Sequence, residues 1–450
     1  MGILALFVFI AITVLINVVL KRDIAEALLL GLLGVALFGG KDAPQLLWHG
    51  ITSAISSEVT FAGMAFVFMG LIVQSTGLID RLITILNSIF GRLRGGAGYV
   101  STLSSAMMGL IAGSTAGNSA TVGSVTIPWM KQTRFSSNRA ATLVAGNSGL
   151  GVALPPNSTM FIILAMPAAA ASSASQVYVT LACAGAYAVL YRLVVVWYWT
   201  RKDNIPRTPP ENIVSFSSAW RQGWRSPSIF LGILIPVMLT IGPVASWLKE
   251  STGVGEDGVK AISIIVWVPI LITAIALIEG AGRIRRNNAQ FRAQIVRDLP
   301  SFATVGISLF AALAAASIME ELGVGDQLSN TLGAFDLPKW AMLVVVGVLA
   351  VIVATPLSST ATAAAVGAPA VAALTGVGID PTVAIVAVLL CTATEGASPP
   401  VGAPIYLSAA MADTNPTKMF VPLIMYFVLP MILLAWLVGM GILPVYVPGV

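Results

Sequence analysis

Apolar runs long enough to cross a lipid bilayer recur along this chain of 450 residues. A transmembrane helix needs about 17–25 predominantly apolar residues. Hydrophobic residues make up 57% of the chain and charged residues only 10%, whereas a soluble domain carries about 25% charged residues. The alternating pattern of a membrane β-barrel does not recur, so the sequence predicts an all-α integral membrane protein.

Basic residues between the apolar runs predict the orientation of the chain. The first run has no basic residue before it and is followed by Lys21 and Arg22, so it does not resemble a cleaved signal peptide. By the positive-inside rule, Lys21 and Arg22 lie in the cytoplasm. Following the loops onward predicts a multi-pass protein with both termini on the outer side, and attributes the net charge of +5 to cytoplasmic loops.

Two unusual motifs each occur twice at the same separation. The polar stretch "STAGNSATVG" (114–123) aligns with "SSTATAAAVG" (358–367), 244 residues later. The same separation relates Pro155 and Pro156 to Pro399 and Pro400. The two halves also have opposite predicted orientations. Together these features predict an inverted repeat.

The repeat predicts the organisation of the chain. Its first copy is residues 1–200, with an interfacial arm at 78–96, a re-entrant hairpin at 97–131 and a broken transmembrane helix at 140–170. A basic cytoplasmic linker follows at 201–227. The second copy is residues 228–450, with an arm at 323–340, a hairpin at 341–378 and a broken helix at 381–413. The breaks are expected at the proline pairs, because proline lacks an amide donor and disfavours helix.

This pattern is typical of secondary transporters, which place solute and ion sites where broken elements of two repeats meet. Hydroxyl, amide and carbonyl oxygens can replace the hydration shell of sodium, and helix N-termini favour anions. A channel is less favoured, because an internal inverted repeat favours alternating access. Catalysis is not predicted: His49 is the only histidine, and Cys183 and Cys391 have no CxxC spacing.

Two charged residues lie within apolar segments. Glu395, in "CTATEGASPP", lies in the second broken helix, where an unpaired charge is expensive. It could neutralise a coupling cation, carry a proton or pair with a cationic substrate group, or it could simply face the cytoplasm at a helix end. Arg192 is expected to extend its guanidinium towards the cytoplasmic surface of the membrane.

The segment 93–131, "LRGGAGYVSTLSSAMMGLIAGSTAGNSATVGSVTIPWMK", and the later "NSGLGVALPPNS" resemble the large, DctM-like membrane subunit of tripartite ATP-independent periplasmic (TRAP) transporters. The resemblance implies an elevator-type carrier of the ion transporter superfamily in a bacterial inner membrane, with periplasmic termini. It also implies sodium coupling, organic-acid substrates and no other cofactor. The implied partners are a separate four-helix membrane subunit and a periplasmic substrate-binding protein.

The motif positions imply two overlapping sites. The expected substrate-binding residues are Ser114, Thr115, Asn118, Ser119, Asn147, Ser359, Thr360 and Thr394, to which the preceding argument adds Glu395. The expected sodium-binding residues are Ser114, Gly117, Asn118, Asn147, Gly149, Ser358, Thr362, Thr392 and Ser398. The structural breaks are expected at Pro155, Pro156, Pro399 and Pro400.

The predicted function is sodium-coupled uptake of a small organic anion delivered by a binding protein. Sodium is preferred to protons because the hairpins hold neutral oxygens and no carboxylate. Two departures from the family pattern, Thr121 after the first "SA" and "TEGASPPVG" at the second break, bear on the substrate and the ion. The alternative is a single-chain sodium- or proton-coupled carrier of the same superfamily without a binding protein.

Overall fold

A computed structural model describes most of the chain. The described residues are 2–112, 115–164, 166–169, 171–208, 213–251, 255–260, 262–324, 327, 337–355, 357–400 and 402–448. Within these ranges the chain is helical and contains no β-strand, which confirms the prediction of an all-α fold. Much of the predicted arm at 323–340 lies outside the described residues, as do 209–212 of the predicted linker.

The first half of the chain forms eleven helices within the described ranges. They are α1 Gly2–Val14, α2 Ile24–Ala36, α3 Ala43–Ser56, α4 Glu58–Thr76, α5 Leu78–Phe90, α6 Gly96–Ala112, α7 Thr115–Gln132, α8 Ser137–Ser148, α9 Leu150–Ala153, α10 Ser158–Leu164 and α11 Ala174–Lys202. Local signals start several of them. Ser136 caps α8, and Ser173 forms a capping box with Gln176 at the start of α11.

The second half forms twelve helices within its described residues. They are α12 Phe216–Gly223, α13 Leu231–Thr240, α14 Pro243–Ser251, α15 Gly255–Lys260, α16 Ile264–Arg286, α17 Asn288–Glu321, α18 Lys339–Ala354, α19 Ser359–Gly376, α20 Pro381–Thr392, α21 Ala403–Ala412, α22 Thr417–Leu423 and α23 Leu429–Gly439. Asp380 caps α20, and Pro381 occupies its first position, where a missing amide hydrogen costs nothing.

Several helices are long and apolar enough to cross a membrane. In the described part of the chain these are Ala25–Ser56, Ala174–Lys202, Val266–Arg286, Phe302–Glu321 and Thr417–Gly439. Two further pairs, bent by 65° and 57°, reach the same length: Thr60–Thr76 with Leu78–Phe90, and Phe216–Gly223 with Ser226–Thr240. The first bend is at Gly77, whose φ of +70° suits glycine. The protein is therefore a multi-pass membrane protein.

The helices pack in two groups. In the first group, α17 packs against α2, α3 and α4, α16 packs against α4 and α13, and α1 packs against α2. The second group contains α6–α11 and α18–α23. We call the first group the outer bundle and the second group the inner bundle.

In the inner bundle, helices from one half of the chain pack against helices from the other half. The helices α6 and α7 pack against each other and against α8, and α7 also packs against α21. In the same way, α18 and α19 pack against each other and against α20, and α19 also packs against α10. The pair α6 and α7 and the pair α18 and α19 therefore each contact the helix that follows them and one helix from the other half of the chain. These contacts bring both proline pairs into one region.

Candidate functional site

The first helix break follows α8. The short helix α9 ends at Ala153, and Leu154 is extended, with φ −119° and ψ 137°, directly before Pro155. Proline restricts the preceding residue to such extended conformations. The bond between Pro155 and Pro156 is cis, and helix resumes at Ser158.

The second break has the same form. After α20, a 3-10 turn covers Glu395–Ala397, and Ser398 is extended, with φ −92° and ψ 105°, before Pro399. The bond between Pro399 and Pro400 is also cis. The backbone is thus non-helical at both predicted proline pairs.

The two breaks lie against each other at two glycines. A Cβ added at Gly149 would collide with the carbonyl oxygen of Ala393, and a Cβ added at Gly396 would collide with the hydroxyl of Ser148. Glycine is therefore required at 149 by the close approach of the Ala393 backbone, and at 396 by the Ser148 side chain.

The second helix of each pair begins at its polar motif. Helix α7 begins at Thr115, and α19 begins at Ser359 after the cap Ser358, whose Oγ accepts a hydrogen bond from the Ala361 amide at 3.2 Å. Ser114, which was predicted for both sites, lies outside the described residues. We call the starts of α7 and α19 the two tips.

Both tips contact Glu395. The hydroxyl of Thr115 donates to Glu395 Oε2 at 2.9 Å, and the hydroxyl of Ser359 donates to the same oxygen at 2.6 Å. The carboxylate of the second break therefore lies at the N-terminal ends of two helices, where the helix dipoles favour negative charge. The sequence predicts an anionic solute at such helix N-termini, whereas here the carboxylate belongs to the chain itself.

Asn118 and Asn147 form a second buried polar cluster. Asn118 Nδ2 donates to the carbonyls of Ser105 and Ser148 at 2.9 and 3.4 Å, and Asn147 Nδ2 donates to Thr102 Oγ1 at 2.9 Å. Both side chains are fully buried, and neither Oδ1 accepts a hydrogen bond from a described residue. Buried acceptors normally have a partner, so these two oxygens fit the donor set of a cation such as sodium.

Ser119 joins α7 to α21. Its Oγ lies 2.9 Å from Ser408 Oγ and 3.5 Å from the carbonyl oxygen of Pro404. Ser119 therefore holds elements from the two halves together. Gly117 lies half-buried in the first turn of α7.

The remaining predicted residues donate their hydroxyls locally. Ser358 Oγ lies 2.9 Å from Thr360 Oγ1, and Thr362 donates to the Ser358 carbonyl at 2.9 Å. In the second break, Thr392 donates to Leu389, Thr394 to Cys391 and Ser398 to Thr394. Each of these hydroxyl oxygens keeps lone pairs that could coordinate an ion. These hydrogen bonds do not link the residues to the first half.

The prediction that Arg192 extends to the membrane surface is wrong. Arg192 is 1% exposed, and its Nη1 donates to the Asn147 carbonyl at 3.5 Å. Its guanidinium lies 6.0 Å from the ring centroid of Phe427. The C-terminal end of α8 carries a partial negative charge, which accounts for a cation there. A lone arginine in the apolar run of α11 was the signal in the sequence.

Three contacting residues were missed by the sequence analysis. Thr102 and Ser105 belong to "STLSS" (101–105), a cluster of hydroxyls in an otherwise apolar helix, which could have indicated a polar face. Ser408 stands alone in α21 and gave no signal.

In the part of the chain that is described, no three His, Cys, Asp or Glu residues are grouped as a metal site.

A cavity of ≈ 510 Å³ lies at the boundary between the outer and inner bundles. It lies between α17 and α19, and small residues line it, including Ala316, Ala364, Ala368 and Ala372. Glu320 contributes a carboxylate to its wall. The two bundles are therefore not fully packed against each other at this place.

Comparison with known families gives one match over nearly the whole chain. Residues 3–440 match the model described as "Tripartite ATP-independent periplasmic transporter, DctM component". A putative TRAP transporter large permease protein of Haemophilus influenzae is 28% identical over 247 residues, 53% of this chain and 54% of that protein. The 2,3-diketo-L-gulonate TRAP transporter large permease protein YiaN of Escherichia coli is 27% identical over 243 residues, with the same coverage. The alignments thus span about half the length of these relatives.

A solved structure shares the fold. The YdaH transporter of Alcanivorax borkumensis superimposes with a TM-score of 0.63 over 89% of each chain, at 16% sequence identity. At this identity, the likeness concerns the fold alone.

Proposed function

The chain belongs to the DctM component family of TRAP transporters, as its motifs predict, and from this premise we propose that it is the permease subunit of a sodium-coupled carrier. The family consists of transport proteins, which confirms the prediction of a transporter rather than an enzyme. The proposed solute is a small carboxylate-bearing organic molecule, delivered by a periplasmic binding protein.

The observation that carries this proposal is the meeting of the two tips at Glu395. Thr115 and Ser359 come from different halves of the chain, and both donate to the carboxylate at the second break. Transporters built from inverted repeats bind their solutes at such junctions. A solute bound between the tips would contact both halves, so its binding would depend on how the two tips are arranged.

Sodium coupling is supported by the cluster around Asn118 and Asn147. Their Oδ1 atoms are buried and accept no hydrogen bond within the described residues. Neutral oxygens can replace the hydration shell of sodium, and the nearby break supplies carbonyl oxygens outside regular helix. We assign the ion to this cluster and the solute to the tips.

The proposed mechanism is of the elevator type. The inner bundle would carry the solute past the outer bundle, with the two repeats at 1–200 and 228–450 joined by the linker at 201–227. The cavity between α17 and α19 supports this proposal, because the two bundles are not fully packed against each other there.

The proposed partners follow from the family. They are a small four-helix membrane subunit and a periplasmic substrate-binding protein. The proposed location is a bacterial inner membrane, with both termini in the periplasm. The exposed apolar side chains of the spanning helices, such as Leu234, Ile278 and Leu433, would face lipid or the small subunit.

Thermal unfolding of the purified chain tests this function. A ligand that binds the folded state raises the melting temperature by mass action. Organic acids are added in sodium chloride and, for comparison, in potassium chloride. We expect sodium to raise the melting temperature and an organic acid to raise it further only with sodium. Stabilisation by acids that is the same in both salts would contradict sodium coupling.

Glu395 supports a second candidate, proton coupling by the same fold. A carboxylate at the tips could carry a proton in place of sodium. In that case solute binding would depend on pH, would be indifferent to sodium, and would lose its pH dependence in Glu395→Gln.

A further inference from the structure

We propose that the transported solute carries an ammonium or similar cationic group as well as its carboxylate, and that Glu395 pairs with that cation. This inference rests on the proposed function, because it assumes that the solute binds where the tips meet. It narrows the solute class from organic anions in general to zwitterions such as ω-amino acids.

The first observation is that Glu395 has no cationic partner among the residues that the structure describes. Both tip hydroxyls donate to Oε2, and the backbone amide of Ser359 also hydrogen-bonds to the carboxylate, so the described partners of Glu395 are all neutral. The ion pairs of the described chain, such as Arg139 with Asp203 and Arg225 with Glu279, do not involve Glu395. A carboxylate within the membrane and without a counter-ion is expensive and usually functional. Its negative charge is left for a ligand to neutralise.

The second observation is that Glu395 breaks the internal symmetry. Thr115 and Ser359 are related by the separation of 244 residues that relates the two halves, so both hydroxyls belong to the shared framework. At that same separation from Glu395 the first half has Gly151. The breaks have the same backbone form with and without the carboxylate. The fold of the break does not require the charge, which leaves a role in recognition.

The third observation concerns the buried cation of this region. Arg192 is 1% exposed and directs its Nη1 at the Asn147 carbonyl, on the first broken helix. It forms no ion pair with Glu395, and its burial keeps it from direct contact with a solute. A solute between the tips therefore meets the negative charge of Glu395 and neutral hydroxyls.

Charge then discriminates between two solute classes of similar shape. A diacid would place a second carboxylate against Glu395, and like charges repel strongly where water is scarce. An ω-amino acid would place its ammonium there and donate a charge-assisted hydrogen bond to the carboxylate. Its other end would keep the carboxylate that the proposed function requires.

The experiment compares matched pairs of ligands on the purified full chain. The pairs are 3-aminopropanoate with succinate, 4-aminobutanoate with glutarate, and 5-aminopentanoate with adipate, each in sodium chloride at neutral pH. Apparent affinities are obtained from the rise in melting temperature. We expect at least one ω-amino acid to bind about tenfold or more tightly than its diacid.

Glu395→Gln keeps an acceptor for both tip hydroxyls and removes the charge. We expect this variant to lose the preference for the ω-amino acid. Glu320→Gln is the matched control, because its carboxylate lines the cavity between α17 and α19 and does not contact the tips. We expect Glu320→Gln to keep the wild-type preference. If Glu395→Gln does not fold, the wild-type comparison decides alone.

Two results would overturn the inference. One is wild-type protein that binds each diacid as tightly as its ω-amino acid; the other is a preference that persists in Glu395→Gln. Sodium-dependent binding of diacids alone would overturn the inference and leave the proposed function standing. If neither series stabilises the wild type, the inference fails, and if no organic acid does so in either salt, the proposed function fails as well.

Discussion

Thr115 and Ser359 are 244 residues apart in the chain, yet their hydroxyls donate to the same oxygen of Glu395, at 2.9 and 2.6 Å. Each is the first residue of its helix, and each follows a serine of the repeated motif. The relationship joins the two halves at one atom. It follows that changes at either tip act on the same carboxylate.

The tip hydroxyls are expected to stabilise the fold together. A hydrogen bond to a charged group contributes about 1.5–3 kcal/mol. Ser359→Ala and Thr115→Val should each lower the melting temperature, and the double variant should lose more than the sum, because Oε2 then loses both hydroxyl donors. Thermal unfolding of the four proteins measures this coupling.

Ser124→Ala serves as the control for the tips. Ser124 is exposed on α7 and donates only to the Thr121 carbonyl at 2.9 Å. Its removal should leave the melting temperature nearly unchanged. Strictly additive losses at Thr115 and Ser359 would contradict the shared role.

The sodium assignment predicts different behaviour for three buried asparagines. Asn147→Ala and Asn118→Ala should lower stability and also abolish the rise in melting temperature that sodium produces, because each removes an unpartnered Oδ1. Asn157 is buried too, but its Nδ2 donates to Val152 and Leu154 and its Oδ1 accepts from Met160.

Asn157→Ala should therefore lower the melting temperature and keep the response to sodium. Titrating sodium chloride against potassium chloride on all three variants gives the comparison. If Asn118→Ala and Asn147→Ala keep the wild-type response to sodium, the ion does not bind at this cluster.

Arg192 is expected to matter for transport more than for stability. Burying a charge without a carboxylate partner costs several kcal/mol, and the single bond of 3.5 Å recovers little of that cost. Arg192→Met should therefore unfold at the wild-type temperature or above it. Its uptake into proteoliposomes should fall by about tenfold or more, because buried intramembrane charges are usually functional.

Arg139→Met is expected to affect stability more than transport. Arg139 pairs with Asp203 at 3.0 Å and stacks over Trp199, with 4.5 Å from its guanidinium carbon to the ring centroid. Its loss should lower the melting temperature and leave uptake closer to wild type. A strongly destabilised Arg192→Met would show that Arg192 is structural.

The crossing of the two breaks predicts that Gly149→Ala is severely damaging. Its new Cβ would meet the Ala393 carbonyl, which is backbone and cannot move aside cheaply. Overpacking of this kind costs about 1–3 kcal/mol or more, and it would push the breaks apart. We expect a lower melting temperature and loss of the sodium response.

Gly282→Ala is the matched control, because a Cβ at Gly282 in α16 meets nothing within 4 Å. Alanine favours helix over glycine by about 1 kcal/mol, so this variant should be at least as stable as wild type. Equal stability of Gly149→Ala and wild type would show that the breaks are not in close contact.

The sequence by itself determined the helical membrane fold, the family and the positions of the breaks. Apolar length and the restriction that proline places on the preceding residue are local properties, so Leu154 and Ser398 could be expected to be extended. The repeated motifs at Thr115 and Ser359 were also visible, because their separation equals that of the proline pairs.

Only the tertiary structure decided which of these residues meet. The sequence left Glu395 with several possible roles, and packing of α7, α19 and the second break placed both hydroxyls on its Oε2. It also turned Arg192 inward to the Asn147 carbonyl, against the expectation from its depth in the membrane. The physical reason is that a side chain's partner depends on the crossing of helices distant in sequence, and hydropathy and local backbone preference carry no information about that crossing.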